Sequence, residues 1–318
     1  MVEFNFDTDP VETQWIVDEL IPSGHLCLVL AQAGVGKSLL VEDLAVHIVF
    51  GKSFCSMETT EGDVLLVDQD TPTDVLTERL TKFGKGMQCE QKHKLFIESM
   101  NQRSLSTGSL MRTINDHPSA KITIIDCLHS VCGKLNPNHT SDMGILAKLK
   151  QECLTDGRTI IINHHISEKI NYTVDELMVG TTHSLSMGNS AIIQQADTYY
   201  IIGATAENGL TNKIYVRPIA KRVAVNSKPL ILRIVMPTED SEKLEYLGLF
   251  EPEFSDMEQD ILALFRERPS DRSIKDIYED VGHKENEAGI RKSLASLEKK
   301  GLLIMNRKSH NQFKYRLP

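Results

Sequence analysis

A short glycine-rich segment, residues 31–38, constrains the fold of this chain more than any other feature. It reads Ala-Gln-Ala-Gly-Val-Gly-Lys-Ser and stands between two apolar segments of different periodicity. The preceding run, 26–30, is typical of a buried parallel strand, and residues 39–48 have the spacing of a helix that ends at Gly51. Strand, glycine loop and helix in this order predict a phosphate-binding loop.

The residue types of this loop suit a nucleotide triphosphate. Glycines let consecutive backbone N–H groups turn toward an anion, and the start of the helix adds partial positive charge. We expect Lys37 to reach the β- and γ-phosphates of ATP and the Ser38 hydroxyl to bind Mg²⁺. The first position of the motif, normally glycine, is Ala31. The predicted nucleotide-binding residues are Ala33, Gly34, Val35, Gly36, Lys37, Ser38 and Leu39.

The composition sets limits on the partners. The chain has 318 residues, which predicts one large domain or a large domain with a smaller one. Its net charge is −9, so a nucleic-acid site must be a local basic surface. Six cysteines without a C-x-x-C pair indicate buried free thiols in a reducing compartment, and their spacing gives no zinc motif.

The start of the chain and its apolar runs bear on location. Residues 1–10 are acidic and lack the apolar core of a signal peptide. No apolar run reaches the length of a membrane span. We therefore expect a cytoplasmic protein without a membrane partner.

Strand-like and helix-like segments alternate along the first two thirds of the chain. This alternation predicts an α/β fold with a doubly wound, mostly parallel sheet. Later apolar runs are separated by turns such as Asn208-Gly209, which favours an antiparallel extension of that sheet. Ligands of such sheets bind at the carboxyl ends of the parallel strands.

Polar side chains follow three of the predicted strands at these ends. Asp126 follows four apolar residues and suits the Walker-B role of holding Mg²⁺ opposite Ser38; alternatively, it caps the next helix. Asp70 is a candidate for activating the attacking water, but Asp68 lies two residues away on the same strand face, so the assignment stays open. His164 and His165 are candidates for sensing the γ-phosphate.

After residue 250 the pattern changes, which predicts domains at 1–250 and 251–318. Three helical segments and a hairpin around residues 309–311 are typical of a winged helix-turn-helix. From residue 284 onward nine cations face only three acids, which favours contact with DNA phosphates; the alternative is a docking module for a replication protein. These cations are Lys284, Arg291, Lys292, Lys299, Lys300, Arg307, Lys308, Lys314 and Arg316.

The chain resembles the RecA-fold hexameric ATPases, in particular the RepA-type replicative helicases of plasmids and phages. The resemblance covers residues 13–235 and rests on five segments besides the lead-in at 15–24. These are 31–38, 64–72, 124–126, the pair His164 and His165 with Lys169 beyond it, and 188–191.

The resemblance implies roles for individual residues. Asp70 falls on the catalytic acid, His165 on the histidine that couples the γ-phosphate to DNA-facing loops, and Asp126 on the Walker-B acid. Residues 130–141 and 167–187 correspond to the two loops that contact single-stranded DNA in the central channel. Lys134, Lys169 and His183 are the candidates for that contact.

Rings of this fold complete each active site with a cation from the neighbouring subunit. We expect Arg222 in this role, with Arg217 and Lys221 as alternatives. Some relatives carry this arginine shortly after residues 188–190, where this chain has Asp197.

The leading hypothesis is therefore a DNA-dependent ATPase that forms a homo-oligomeric ring, most simply a hexamer, and acts as a helicase on single-stranded DNA. The same residues allow a recombination or strand-annealing ATPase that forms filaments. A third hypothesis is a regulator whose DNA binding is controlled by the nucleotide.

Overall fold

A computed structural model describes most of the chain. The described residues are 12–99, 107–132, 140–166, 173–179, 190–207, 210–267, 269–281, 287–300, 302–309 and 312–317. The fold is dominated by one sheet of nine strands, preceded by a small antiparallel ribbon of β1 (Trp15–Val17) and β2 (Ile21–Pro22).

The larger part of this sheet is parallel. Its strands are β3 (Leu26–Ala31), β4 (Val64–Asp68), β5 (Leu95–Ser99), β6 (Ile122–Asp126), β7 (Thr159–His165) and β8 (Thr198–Glu207). They lie in the order β8-β3-β7-β6-β4-β5, and every neighbouring pair is parallel. The doubly wound parallel sheet predicted from the alternating pattern is confirmed.

Three antiparallel strands extend the sheet beyond β8. They are β9 (Leu210–Ala220), β10 (Leu230–Thr238) and β11 (Ser241–Leu249), and each pairs with the strand before it. The predicted antiparallel extension is therefore confirmed.

Helices cover both faces of the sheet, and β3 shows why. Cys27, Val29 and Ala31 point to one face, while Leu26, Leu28 and Leu30 point to the other, and all are buried. The first face packs against α1 (Lys37–Phe50) and α2 (Thr73–Gly86). The second face contacts α3 (Thr107–Asp116), α4 (Leu128–Cys132), α5 (Thr140–Asp156), α6 (Val174–Val179) and α7 (Ser190–Gln195).

The ends of α1 and α2 follow different rules. Gly51 has φ 61° and ends α1 as expected, because this left-handed conformation suits glycine. Gly84, by contrast, does not end α2, because the helix continues to Gly86. A Cβ at Gly84 would lie 3.6 Å from the ring of Phe50, so this glycine lies at a close contact between the two helices.

The two predicted channel loops are partly helical. Residues 130–132 belong to α4, because Leu128 and Val131 pack into the core, and α5 begins at Thr140. Residues 174–179 form α6, with Leu177 and Met178 buried. Lys134, Lys169 and His183 lie outside the described residues.

The C-terminal elements have a hydrophobic core of their own. In chain order they are α8 (Asp256–Glu267), β12 (Arg272–Ser273), α9 (Ile274–Asp280), α10 (Glu287–Lys299), β13 (Ile304–Ser309) and β14 (Gln312–Arg316). The three strands form an antiparallel sheet in the order β12-β14-β13. Phe265, Ile290 and Leu294 are fully buried at the centre of this core.

Among the described residues, no helix is both long and apolar enough to cross a membrane.

Candidate nucleotide site

The glycine-rich loop connects β3 to α1 at the carboxyl edge of the parallel strands. Gly34 and Gly36 have φ of 73° and 90°, a conformation that other residues rarely adopt. Ala31 is the last residue of β3 and pairs with His165, so its backbone is extended. An alanine therefore fits the first motif position without strain.

The Lys37 side chain lies at the mouth of this loop. Its ammonium donates hydrogen bonds to the carbonyl oxygens of Gln32 at 2.8 Å and Ala31 at 3.4 Å. Burial lowers the pKa of Lys37 from its ordinary value, and the nearby Asp126 carboxylate opposes this shift. The lysine is thus held close to the position where the sequence predicts phosphate.

Asp126 ends β6 and lies beside Ser38, the first polar residue after Lys37. Burial raises the pKa of Asp126, while a hydrogen bond from the Ser38 hydroxyl acts in the opposite direction. Its second carboxylate oxygen, Oδ2, is buried and has no hydrogen-bond partner. A hydroxyl and a carboxylate are oxygen ligands that suit Mg²⁺, so these two residues fit the predicted ion.

Asp68 and Asp70 are separated by their surroundings. Asp68 is fully buried, and its Oδ1 accepts hydrogen bonds from the backbone N–H groups of Asp70 and Thr71, both at 2.8 Å. Asp70 is exposed to the pocket, and its Oδ1 accepts a hydrogen bond of 3.2 Å from Ser130. Asp68 therefore fixes the turn after β4, and Asp70 is the acid that faces the pocket.

The two histidines at the end of β7 face opposite sides of the sheet, because successive strand residues alternate. Nδ1 of His165 lies 3.3 Å from the Lys37 ammonium. His164 pairs with Leu30 one position earlier along the strand. His165 is therefore the histidine that belongs to the site.

These side chains converge on one pocket of about 320 Å³, a size suited to a small-molecule ligand. Of the predicted binding residues, Val35 alone does not line it and instead packs on the core of the sheet. The pocket is lined by Ala33, Gly34, Gly36, Lys37, Ser38, Leu39, Asp70, Arg79, Asp126 and His165.

An ion pair between α1 and α2 at this pocket is absent from the sequence-based prediction. The Arg79 guanidinium donates to Oε1 of Glu42 at 2.7 Å and to the hydroxyl of Thr71 at 3.2 Å. Burial raises the pKa of Glu42 to about 8, and Arg79 acts against this shift. Glu42 is a charged residue among the apolar residues on the buried side of α1, and this position was the only hint of the ion pair in the sequence.

Arg222 lies away from this pocket in the same subunit. It follows the end of β9, which pairs with the start of β8, at the edge of the sheet opposite the glycine loop. Its guanidinium donates to the carbonyl of Ala196 at 2.6 Å and to Oδ1 of Asp197 at 3.3 Å. Arg222 thus binds the C-terminal end of α7 within its own subunit.

Asp197 joins three elements. It accepts hydrogen bonds from the backbone N–H of Leu26 at 3.1 Å and from the Lys150 ammonium at 2.6 Å, besides Arg222. Burial by itself would raise the pKa of Asp197, but the hydrogen bonds from Lys150 and Leu26 and the positive charge of Lys150 together lower it. This carboxylate therefore anchors the amino-terminal edge of the sheet.

Comparison with known protein families shows the family of this chain. Residues 2–169, just over half of the chain, match the family described as AAA domain. The chain belongs to the AAA domain family. The matched segment of this AAA domain protein contains every residue of the pocket.

Solved structures show the fold of this AAA domain protein. It is similar to a solved structure described as an ATPase domain, with 15% identity and a TM-score of 0.51 over 71% of this chain and 85% of that one. It also resembles the flagellar accessory protein FlaH from Methanocaldococcus jannaschii, with 13% identity and a TM-score of 0.44 over 74% and 92%. No curated protein sequence matches the chain. The fold is that of the RecA-like P-loop ATPases.

Proposed function

We propose that this protein hydrolyses ATP in a DNA-dependent manner, as a ring that translocates on single-stranded DNA and acts as a helicase. One observation carries the proposal. Lys37, Asp70, Asp126 and His165, which come from four separate elements, all line the same pocket. Family membership and fold support an ATPase, and the resemblance to RepA-type helicases supports the finer assignment.

Each residue has a role that follows from its position. The backbone of residues 33–39 would cradle the phosphates, and Lys37 would pair with the β- and γ-phosphate oxygens. Asp70 would orient and deprotonate the attacking water, because its carboxylate is exposed to the pocket. His165 would report the γ-phosphate to the segment that follows β7.

Mg²⁺ would be held by the Ser38 hydroxyl and the Asp126 carboxylate. The buried Oδ2 of Asp126, which has no hydrogen-bond partner, supports this assignment. When bound, the ion would neutralise charge on the phosphates. Asp126 also keeps Ser38 in place through their hydrogen bond.

The cation supplied by the neighbouring subunit has three candidates, Arg222, Arg217 and Lys221, and the ammonium of Lys221 donates to the carbonyl of Ile193 at 2.6 Å. Arg222 is held by the Asp197 carboxylate and by carbonyl groups at the end of α7, whereas Arg217 donates to the carbonyl of Leu177 at 3.2 Å and pairs through Ile201 with Leu30, near the glycine loop. We therefore place Arg217 ahead of Arg222 for this role. A mixture of Lys37→Ala and Arg217→Gln subunits tests this assignment. Where the two variants are neighbours, the Arg217→Gln subunit supplies an intact Lys37 and the Lys37→Ala subunit supplies an intact Arg217 to the same site.

In that experiment each variant alone is expected to be inactive, and the mixture should recover a fraction of the turnover. The matched mixture with Arg222→Gln distinguishes the two arginines. If Arg217→Gln alone keeps full turnover while Arg222→Gln loses it and is complemented, Arg222 is the cation in question.

The C-terminal segment 251–318 is proposed to be a separate winged-helix domain that binds DNA or a replication protein, beside an ATPase domain at 1–250. Its own hydrophobic core and three-stranded sheet support this division. Arg291 and Lys292 lie exposed on α10, the helix expected to enter a DNA groove, while Lys299 of the same helix pairs with Glu176 of α6 at 2.6 Å.

ATP turnover with and without single-stranded DNA tests the proposal. We expect turnover that DNA stimulates and that Lys37→Ala abolishes; intact turnover in this variant would refute the site. Unwinding of a forked duplex supports a helicase. ATP-dependent filaments without strand separation support the recombination or annealing alternative, and tight binding to one duplex sequence with turnover indifferent to single strands supports the regulator.

A further inference from the structure

Cys127 is a buried side chain at the edge of the nucleotide pocket, and the proposed hydrolysis does not use it. It follows Asp126 directly, and its Sγ lies 3.2 Å from the hydroxyl of Ser130. Ser130 in turn donates to Asp70, so the thiol and this carboxylate face the same space.

His165 completes a set of three metal-binding side chains in this space. Ligand atoms of Asp70, Cys127 and His165 all lie within 4.8 Å of one another. A thiolate, an imidazole and a carboxylate are the ligands of Zn²⁺, at about 2.0–2.3 Å from the ion. Adjacent ligand atoms of a tetrahedral site are then about 3.5 Å apart, so a shift of about 1 Å closes the set.

We propose that Asp70, Cys127 and His165 form an inhibitory site for Zn²⁺ or another thiol-binding divalent metal. Three protein ligands leave the fourth tetrahedral position open to water or a phosphate oxygen. On binding, the Cys127 thiol loses its proton to solvent and becomes a thiolate, while the imidazole binds as the neutral base.

The charges and the ligand types distinguish this site from the magnesium site. The Lys37 ammonium, 3.3 Å from Nδ1 of His165, disfavours a second cation there. The Asp70 carboxylate and the thiolate of Cys127 together offset the charge of a divalent ion. Mg²⁺ prefers oxygen ligands only, so sulfur and nitrogen select against it.

The inhibition, unlike the binding, rests on the proposed function. A metal bound here takes up the carboxylate that would activate water and the histidine that would sense the γ-phosphate. Turnover with Mg²⁺ and ATP should therefore fall when Zn²⁺ is added and return when a chelator removes it.

Binding is tested first with Co²⁺ on the full chain in the absence of nucleotide. We expect a thiolate-to-cobalt charge-transfer band and visible bands of a four-coordinate ion, saturating at one ion per chain. Cys127→Ser should lose the charge-transfer band, and Cys89→Ser, which changes an exposed cysteine, should keep it. A spectrum without this band in the unaltered protein, or with it in folded Cys127→Ser, overturns the site.

Inhibition is tested by titrating Zn²⁺ into the turnover assay. Cys127→Ser should need a zinc concentration higher by about tenfold or more for half inhibition, with Cys89→Ser unchanged. Equal inhibition of all three proteins overturns the regulatory part. If Cys127→Ser does not fold by circular dichroism, Cys127→Ala replaces it. If no protein turns over ATP, the proposed function fails, while the cobalt spectrum still decides the metal site.

Discussion

The guanidinium of Arg79 lies 2.7 Å from Oε1 of Glu42, at the pocket that Arg79 lines together with Lys37 and Asp126. Carboxylate oxygens of Glu42, Asp68 and Asp126 approach within 4.8 Å of one another, and all three residues are buried. Burial, and to a smaller extent the neighbouring Asp126 and Asp68, raise the pKa of Glu42, and the Arg79 guanidinium acts against this rise. Arg79 therefore stabilises the arrangement of acids that the proposed magnesium site requires.

At pH 9, above the pKa of about 8 that burial gives Glu42, Arg79→Met is expected to lower the free energy of unfolding by about 3 kcal/mol, since it leaves the ionised and fully buried Glu42 without its charged partner. Adding Glu42→Leu should restore much of this loss, because two apolar side chains then replace the pair. The measurement is denaturant unfolding at constant pH.

The control for this series is Lys82→Met on the same helix. Lys82 pairs with Glu78 at 2.6 Å, but both side chains are substantially exposed, so the change should stay within about 0.5 kcal/mol. If Arg79→Met costs no more than this control, the pair does not stabilise the fold.

Stability should also depend on pH through Asp43, a fully buried acid of α1. Burial raises its pKa to about 8, whereas the unfolded chain releases this proton near pH 4. Between these values the native state binds more protons than the unfolded state, so stability is greatest at the acidic end and falls as pH rises toward 8. The slope from one such group is at most about 1.4 kcal/mol per pH unit.

Asp43→Asn removes that titration. We expect the free energy of unfolding of the variant to decline less steeply between pH 5 and pH 8. The stability of the variant relative to the unaltered protein should therefore increase as pH rises. Glu90→Gln, at an exposed position, should leave the slope as it is. An unchanged slope in Asp43→Asn would mean that Asp43 is not the group responsible.

Much of this architecture could be predicted from local sequence, and the reason is visible in β3 and β6. Both strands carry apolar residues on both faces, so their burial could be predicted from their composition. Asp126 was recognisable as the charged residue at the end of the apolar run of β6. The end of α2 could not be predicted in this way. Gly84 resembles a helix terminator until its contact with Phe50 of another helix is known.

The same distinction applies to the site. Lys37 and Ser38 belong to a contiguous motif. Asp70 follows β4 and His165 ends β7, two parallel strands whose carboxyl ends had to lie at the same edge of the sheet. Glu42, Arg79 and Cys127 contribute through pairs that are distant in sequence, and no spacing rule connects them. The choice between Asp68 and Asp70 as the acid of the pocket likewise needed the structure, because it depends on the hydrogen bonds that Asp68 accepts from backbone N–H groups.

The proposed domain boundary predicts separate unfolding of the C-terminal segment. Leu294 is fully buried in the core formed by α8, α9 and α10, so Leu294→Ala should cost about 2–5 kcal/mol there. The only tryptophan, Trp15, lies in the ATPase part. Circular dichroism should therefore show an earlier transition in the variant that tryptophan fluorescence does not follow. A single transition, shifted equally for both probes, would contradict two independent domains.

The exposed face of α10 predicts how binding to DNA depends on salt. Lys292 is exposed on this helix, and the described structure gives it no ion pair, whereas Arg291 pairs with Glu287 at 2.5 Å. If Lys292 contacts a phosphate, Lys292→Ala should weaken binding to duplexes of any sequence and reduce the slope of log K against log salt by about one. The measurement is fluorescence anisotropy of a labelled duplex at several salt concentrations, with Lys85→Ala on α2 as the control. Equal affinities and slopes for the two variants would favour the alternative in which this domain docks a replication protein.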